Sequence, residues 1–124
     1  MTVSGNGAMG YIGKRRSPLR AVTQITSVTT GVTINAEEGV INCFTQTILT
    51  SATTVFTLTN SHIKVGCSVL LSVVDVVGDA LVGTNGLPVV MTQVIADGSC
   101  KVVIFNADVA SLVGVIVLGF KVIR

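Results

Sequence analysis

From Ala21 onward the chain is written in short apolar runs separated by small polar turn residues. Val22–Thr26 and Val32–Ile34 read as strands, the second following Thr30-Gly31. Glu37-Glu38-Gly39 makes a polar turn ahead of Val40–Thr45. Thr53–Thr59 alternates with period two, placing Val55 and the Thr57 and Thr59 hydroxyls on one face and Phe56 and Leu58 on the other. Asn60-Ser61-His62 predicts a connection of one helical turn. Ser68–Val77 is almost continuously Val and Leu, the pattern of a strand covered on both faces. Gly78-Asp79 and Gly83–Gly86 bracket a flap, and Pro88 opens the strand Val89–Ala96. Asp97-Gly98 between apolar runs is a hairpin signal, with positive φ expected at both turn positions. It leads into Cys100–Phe105, and Val109–Ile123 supplies one or two closing strands with Gly114 and Gly119 as candidate bends or close-approach points.

About eight short strands at roughly ten-residue spacing, with no helical stretch, predict an all-β fold. The expected architecture is an antiparallel β-sandwich or jelly-roll-like barrel over residues 21–124. An extended, Gly-rich N-terminal arm, residues 1–20, precedes it. No repeat of propeller or solenoid length is present.

Composition sharpens this picture. Apolar residues make up 49% of the 124 positions and charged residues only 11%, against about 25% charged in average soluble proteins. A domain this small cannot bury so much apolar surface by itself, so part of it is expected at subunit contacts, with a homo-oligomer favoured. The longest apolar stretch, Val109–Phe120, is too short and too rich in Val, Ile and Gly for a membrane-crossing helix. The basic residues near the amino end are not followed by a signal-peptide apolar core. Synthesis in the cytosol, without export by the general pathway, is the expectation.

Charge is unevenly placed. Lys14, Arg15, Arg16 and Arg20 are half of the 8 basic residues, and no acid precedes Glu37. The four form the only charged constellation with a direction, suited to docking on an acidic protein surface, with a merely solubilising tail as the alternative. Nucleic acid is disfavoured as a partner, because Lys64, Lys101, Lys121 and Arg124 are spread over the body among all six acids.

Catalytic chemistry finds little support. Gly5-Asn6-Gly7-Ala8-Met9-Gly10 spells G-x-G-x-x-G, but the motif needs a strand before it and a helix after it, and the flanks here offer neither. His62 is the sole histidine, so no general base stands ready beside a Ser or Cys nucleophile. Glu37 and Glu38 are adjacent and would point to opposite faces of a strand. Cys43, Cys67 and Cys100 lack metal-ligand spacing and read as buried reduced thiols, with a single structural disulfide and one leftover thiol as the alternative. No enzymatic activity, cofactor, metal, small-molecule substrate or membrane association is expected.

One pattern is more specific. Met9-Gly10-Tyr11 precedes a Gly-containing arm, then Val22-Thr23-Gln24-Ile25-Thr26-Ser27 and Thr30-Gly31-Val32-Thr33-Ile34-Asn35. Phe56-Thr57-Leu58-Thr59-Asn60-Ser61, Ala96-Asp97-Gly98-Ser99-Cys100 and Gly119-Phe120-Lys121-Val122-Ile123 continue it to the end. In order and spacing these resemble small tailed-phage head decoration (cement) proteins. The resemblance implies a β-sandwich subunit, usually a trimer, seated on the outer capsid surface at threefold or quasi-threefold points and bridging neighbouring capsomers. It implies the major capsid protein and further copies of the chain as partners, and it carries no catalytic residues. The segment Lys14-Arg15-Arg16-Ser17-Pro18-Leu19-Arg20 departs from the more uniformly Gly-rich arm of that pattern. A head- or tail-fibre module that binds a host receptor through its loops is the alternative.

Overall fold

The computed structural model describes residues 20–78 and 86–124. Among them are nine strands: β1 (Arg20–Thr23), β2 (Val32–Thr33), β3 (Glu38–Asn42), β4 (Gln46–Ile48), β5 (Thr53–Thr59), β6 (Ser68–Val77), β7 (Pro88–Ala96), β8 (Ser99–Asn106) and β9 (Leu112–Ile123). They form two sheets packed face to face, a sandwich-like all-β fold.

β9 is the spine of the first sheet. Its inward positions Leu112, Ile116, Leu118, Phe120 and Val122 are buried, and every second residue points outward, as the two-residue repeat of a strand requires. β3 and then β4 run antiparallel along one side of it, joined at Cys43, whose N–H donates to the Ile116 carbonyl at 2.9 Å. β6 runs antiparallel along the other side, from Val77 opposite Val115 to Ser68 opposite Ile123, with a register shift between Val117 and Leu118. The second sheet is ordered β2, β5, β8, β7. Its inward residues Phe56, Leu58, Cys100, Val102 and Ile104 join Ile41 and the β9 side chains in one core cluster. Removing such a side chain from water stabilises the fold by about 1.5–3 kcal/mol each, before conformational entropy is charged against it.

Two expectations change. The sheets are mixed: β1 lies parallel to β3 (Arg20 opposite Gly39) and β2 parallel to β5 (Val32 opposite Leu58). Period-two alternation reports which face a side chain takes but carries no information about strand direction. Arg20, placed in the arm by the sequence, opens β1 instead.

Local differences have local causes. The first strand ends at Thr23, short of the expected Thr26, which instead takes a positive φ of 79° in the loop that follows. Residues 43–45 interrupt the expected Val40–Thr45 strand. The β7–β8 hairpin uses positive φ only at Gly98 (82°), and the ladder slips between Val94 and Ala96. Asp97 is thereby free to serve elsewhere: its Oδ1 accepts the Val65 N–H at 2.8 Å. At Gly86, φ is +114° and a Cβ would stand 2.6 Å from Leu112, so only glycine fits.

Candidate interaction surface

Three buried amides tie the loops to the sheets. Gln24 donates from Nε2 to the Val28 and Thr30 carbonyls (3.0 and 2.7 Å) and accepts the Phe44 N–H on Oε1 at 2.9 Å. It therefore closes the loop after β1 onto the break between β3 and β4. Asn60 donates to the Ala36 carbonyl at 2.6 Å and accepts the His62 N–H at 3.0 Å. Asn106 donates to the Ile48 and Ala110 carbonyls and accepts the Leu87 and Asp108 N–H groups, four bonds between 2.8 and 3.1 Å. Each replaces the water that a buried loop backbone would otherwise need. Gln46, opposite Gly114, contrasts with them: it is buried, and among the described residues neither its Oε1 nor its Nε2 has a partner.

Titratable groups are dispersed. Arg124 approaches Glu37 at 3.8 Å, with both side chains mostly in water, an arrangement worth little. Glu38 stands opposite Lys121 across β3 and β9. Burial pushes the Cys43 thiol up to about 12 and raises that of Cys100 as well, so neither is a ready thiolate nucleophile. All three cysteines are free thiols; Cys43 and Cys100 are buried as expected, whereas Cys67 is only half-buried. Among the described residues, no group of three His, Cys, Asp or Glu is placed to hold a metal ion.

Of the basic docking set, Lys14, Arg15 and Arg16 lie outside the described residues. Arg20 is exposed, and its Nη1 donates to the Asn35 carbonyl at 3.1 Å, within its own chain.

The outer faces of the two sheets are where the surface departs from that of an ordinary soluble domain. Ser68–Val77 was expected to be covered on both faces, yet the chain covers only its inner one. Leu70, Val74 and Val77 project outward from β6 and are 53–59% exposed. Val89, Met91 and Ile95 do the same from β7 at 49–63%, and no residue of β7 is fully buried. Next to Met91, the outward rung continues through Val103 to Val55, and next to Val89 it reaches Phe105. On the first sheet an open groove of about 540 Å³ runs over Gly119, walled by Val40, Leu70, Ser72 and Val74, with Glu38 and Lys121 at one end. Gly119 shapes it: a Cβ there would meet Val74 Cγ2 at 3.2 Å.

The signal for these faces was present in the sequence. A strand apolar at both odd and even positions has two faces to hide, and a strand in a two-layer fold can hide only one. The three amides gave less warning, because Asn and Gln at strand ends look like turn residues. Compared with known proteins, the chain matches no family model, no curated protein and no solved structure.

Proposed function

We propose that this chain is a structural virion protein, a decoration or cement protein that binds the outer surface of a phage head as a homotrimer and stabilises the capsid lattice. The observation that carries this reading is the pair of apolar outer sheet faces on a chain whose interior is already complete. Such a subunit is built to be covered by other protein. The resemblance of the 9–35 segment and of the closing Gly119–Ile123 run to the decoration family supplies the identity of the assembly. Binding only to the assembled lattice would stabilise it by mass action, and a trimer engaging several capsomers at once needs only modest affinity at each. Lys14, Arg15, Arg16 and Arg20 would hold the major capsid protein, so docking weakens as salt rises.

The test is co-sedimentation of the purified protein with expanded, undecorated capsids, at several salt concentrations, together with its own solution mass. A trimer that saturates capsids at a fixed ratio to the major capsid protein is the expected result. A protein that ignores capsids and binds whole host cells overturns the reading in favour of a receptor-binding fibre module. Capsid binding indifferent to salt removes the basic segment from the docking role.

A further inference from the structure

We infer that the groove over Gly119 is the seat of this chain's own amino-terminal segment: Tyr11 and Ile12 lie against its apolar walls and bring Lys14, Arg15 and Arg16 onto the outer face of the first sheet. The inference goes beyond the decoration reading and holds whatever the chain docks on.

The groove begins where that segment enters the fold. One rung of the first sheet runs Ala21, Val40, Gly119, Ser72, crossing β1, β3, β9 and β6 in turn. Gly119 stands two strand spacings from Ala21, about 10 Å, and its missing side chain opens the hollow between Val40 and Val74. The volume of about 540 Å³ is of the size that holds a compact apolar group. Residues 1–19 lead into β1 at Arg20. Leu19 and Pro18 are too near β1 to turn back over the sheet, and 13–17 carry no apolar side chain. The next apolar side chains are Ile12 and Tyr11, flanked by Gly13 and Gly10. The chain from Ile12 to Ala21 spans up to about 30 Å, which leaves length for a turn at Ser17-Pro18 and the return to Gly119. Tyrosine suits a groove with apolar walls and Glu38 and Lys121 at one end, because its ring is apolar and its hydroxyl is not.

Charge points the same way. No acid precedes Glu37, so the segment is purely basic. On the face it would cross, Lys121 stands opposite Glu38 and balances it. Asp75, beside Val74 and opposite Val117, is left over: its carboxylate accepts the adjacent Val76 N–H at 2.8 Å and has no ion-pair partner among the described residues. Lys14, Arg15 and Arg16 follow Ile12 closely enough to supply the missing cation. The tether selects the occupant. A segment joined to β1 by so short a link meets the groove at an effective concentration on the order of millimolar, and a second copy or an unrelated peptide must compete with that. Gathering the three cations over one face also lowers the ordering cost when they meet an acidic surface.

Tyr11 is the sole tyrosine and the chain has no tryptophan, so tyrosine fluorescence reports position 11 alone. The experiment is acrylamide quenching of that fluorescence in the full chain, compared with a synthetic peptide of residues 1–19. The wild-type quenching constant is expected at least about twofold below the peptide's, since a seated ring meets the quencher only when the segment lifts away. Val40→Asp and Val74→Asp, on opposite walls of the groove, should each bring it to the peptide's value with circular dichroism unchanged. Ile95→Asp places the same charge on the outer face of β7 and should leave the wild-type value. Protection should also persist at subunit concentrations where sedimentation shows a monomer. The inference is overturned if the wild type is quenched like the peptide, if neither wall variant changes it, or if Ile95→Asp exposes Tyr11 as much as they do. Protection lost on dilution overturns it too, and gives the groove to the segment of another copy. A chain that ignores capsids with Tyr11 protected leaves this inference standing and removes the decoration reading. A chain that saturates capsids with Tyr11 open does the reverse.

Discussion

The two lateral edges of the sandwich are finished in opposite ways. At the β1/β2 edge the chain completes itself with polar bonds. Two short parallel strands close the sheets, Gln24 makes three side-chain hydrogen bonds, and Arg20 reaches back to Asn35. At the β6/β7 edge two long strands stand side by side with a hydroxyl of Thr92 on a Val69 carbonyl and bare Val, Leu, Ile and Met outside. A short, bonded edge is stable in water as it is. A long apolar one is a liability unless something covers it. The difference separates residues that hold the fold from residues that the proposed assembly would cover, and substitutions can test that division directly.

The largest effect is expected at Asn106, which secures the strand end and loops beside the interior rather than either edge. Its amide makes four hydrogen bonds in a fully buried position. Asn106→Ala strands two carbonyls and two N–H groups, each costing about 1–3 kcal/mol if left unpaired. With partial relaxation the total loss is about 3–5 kcal/mol, read as a drop in the urea midpoint. A loss below about 1 kcal/mol would mean that the loops hold themselves.

Next comes Gln24, the latch of the bonded edge. Gln24→Ala should cost about 2 kcal/mol. Amide exchange should quicken first at Phe44, whose N–H loses its acceptor, and then through the 25–31 loop. If exchange quickens equally at β6 and β7, the two edges are one cooperative unit and the contrast drawn above fails.

Gln46 is the inverse case, a buried amide with no partner among the described residues. Replacing it with Leu removes a desolvation cost and keeps the volume, so Gln46→Leu should raise stability by about 1 kcal/mol. A loss of similar size would show that the amide has a hydrogen-bond partner in solution.

How much of this was legible beforehand differs by region. The interior strands were readable, because Thr53–Thr59 and Cys100–Phe105 alternate cleanly and the structure buries Phe56, Leu58, Val102 and Ile104 as that alternation requires. The parallel pairing of β1 with β3 and of β2 with β5 was not, since strand direction leaves no trace in hydrophobic period. Val109–Ile123 could be read as one strand or two, and Gly114, at φ 137°, is absorbed within a single twelve-residue strand. For the surface, the both-face apolar pattern of Ser68–Val77 was visible, but its consequence depended on the fold having only two layers. Of the basic segment, only Arg20 falls among the described residues, and its guanidinium is engaged with its own chain.

The smallest effect on the fold is expected at the bare edge, and that smallness is informative. Ile104→Thr in the core should cost about 3 kcal/mol or more, through lost burial and a hydroxyl without a partner. Leu70→Thr and Ile95→Thr make similar changes on the outer flanks of β6 and β7, where the side chains already face water. At subunit concentrations low enough to hold the protein monomeric, each should shift unfolding by less than about 0.5 kcal/mol. As concentration rises, the wild type should gain stability from self-association and these variants should gain less, so their curves separate. Separation at every concentration would show that the flanks support the monomer itself, and the division between fold-holding and assembly residues would have to be redrawn.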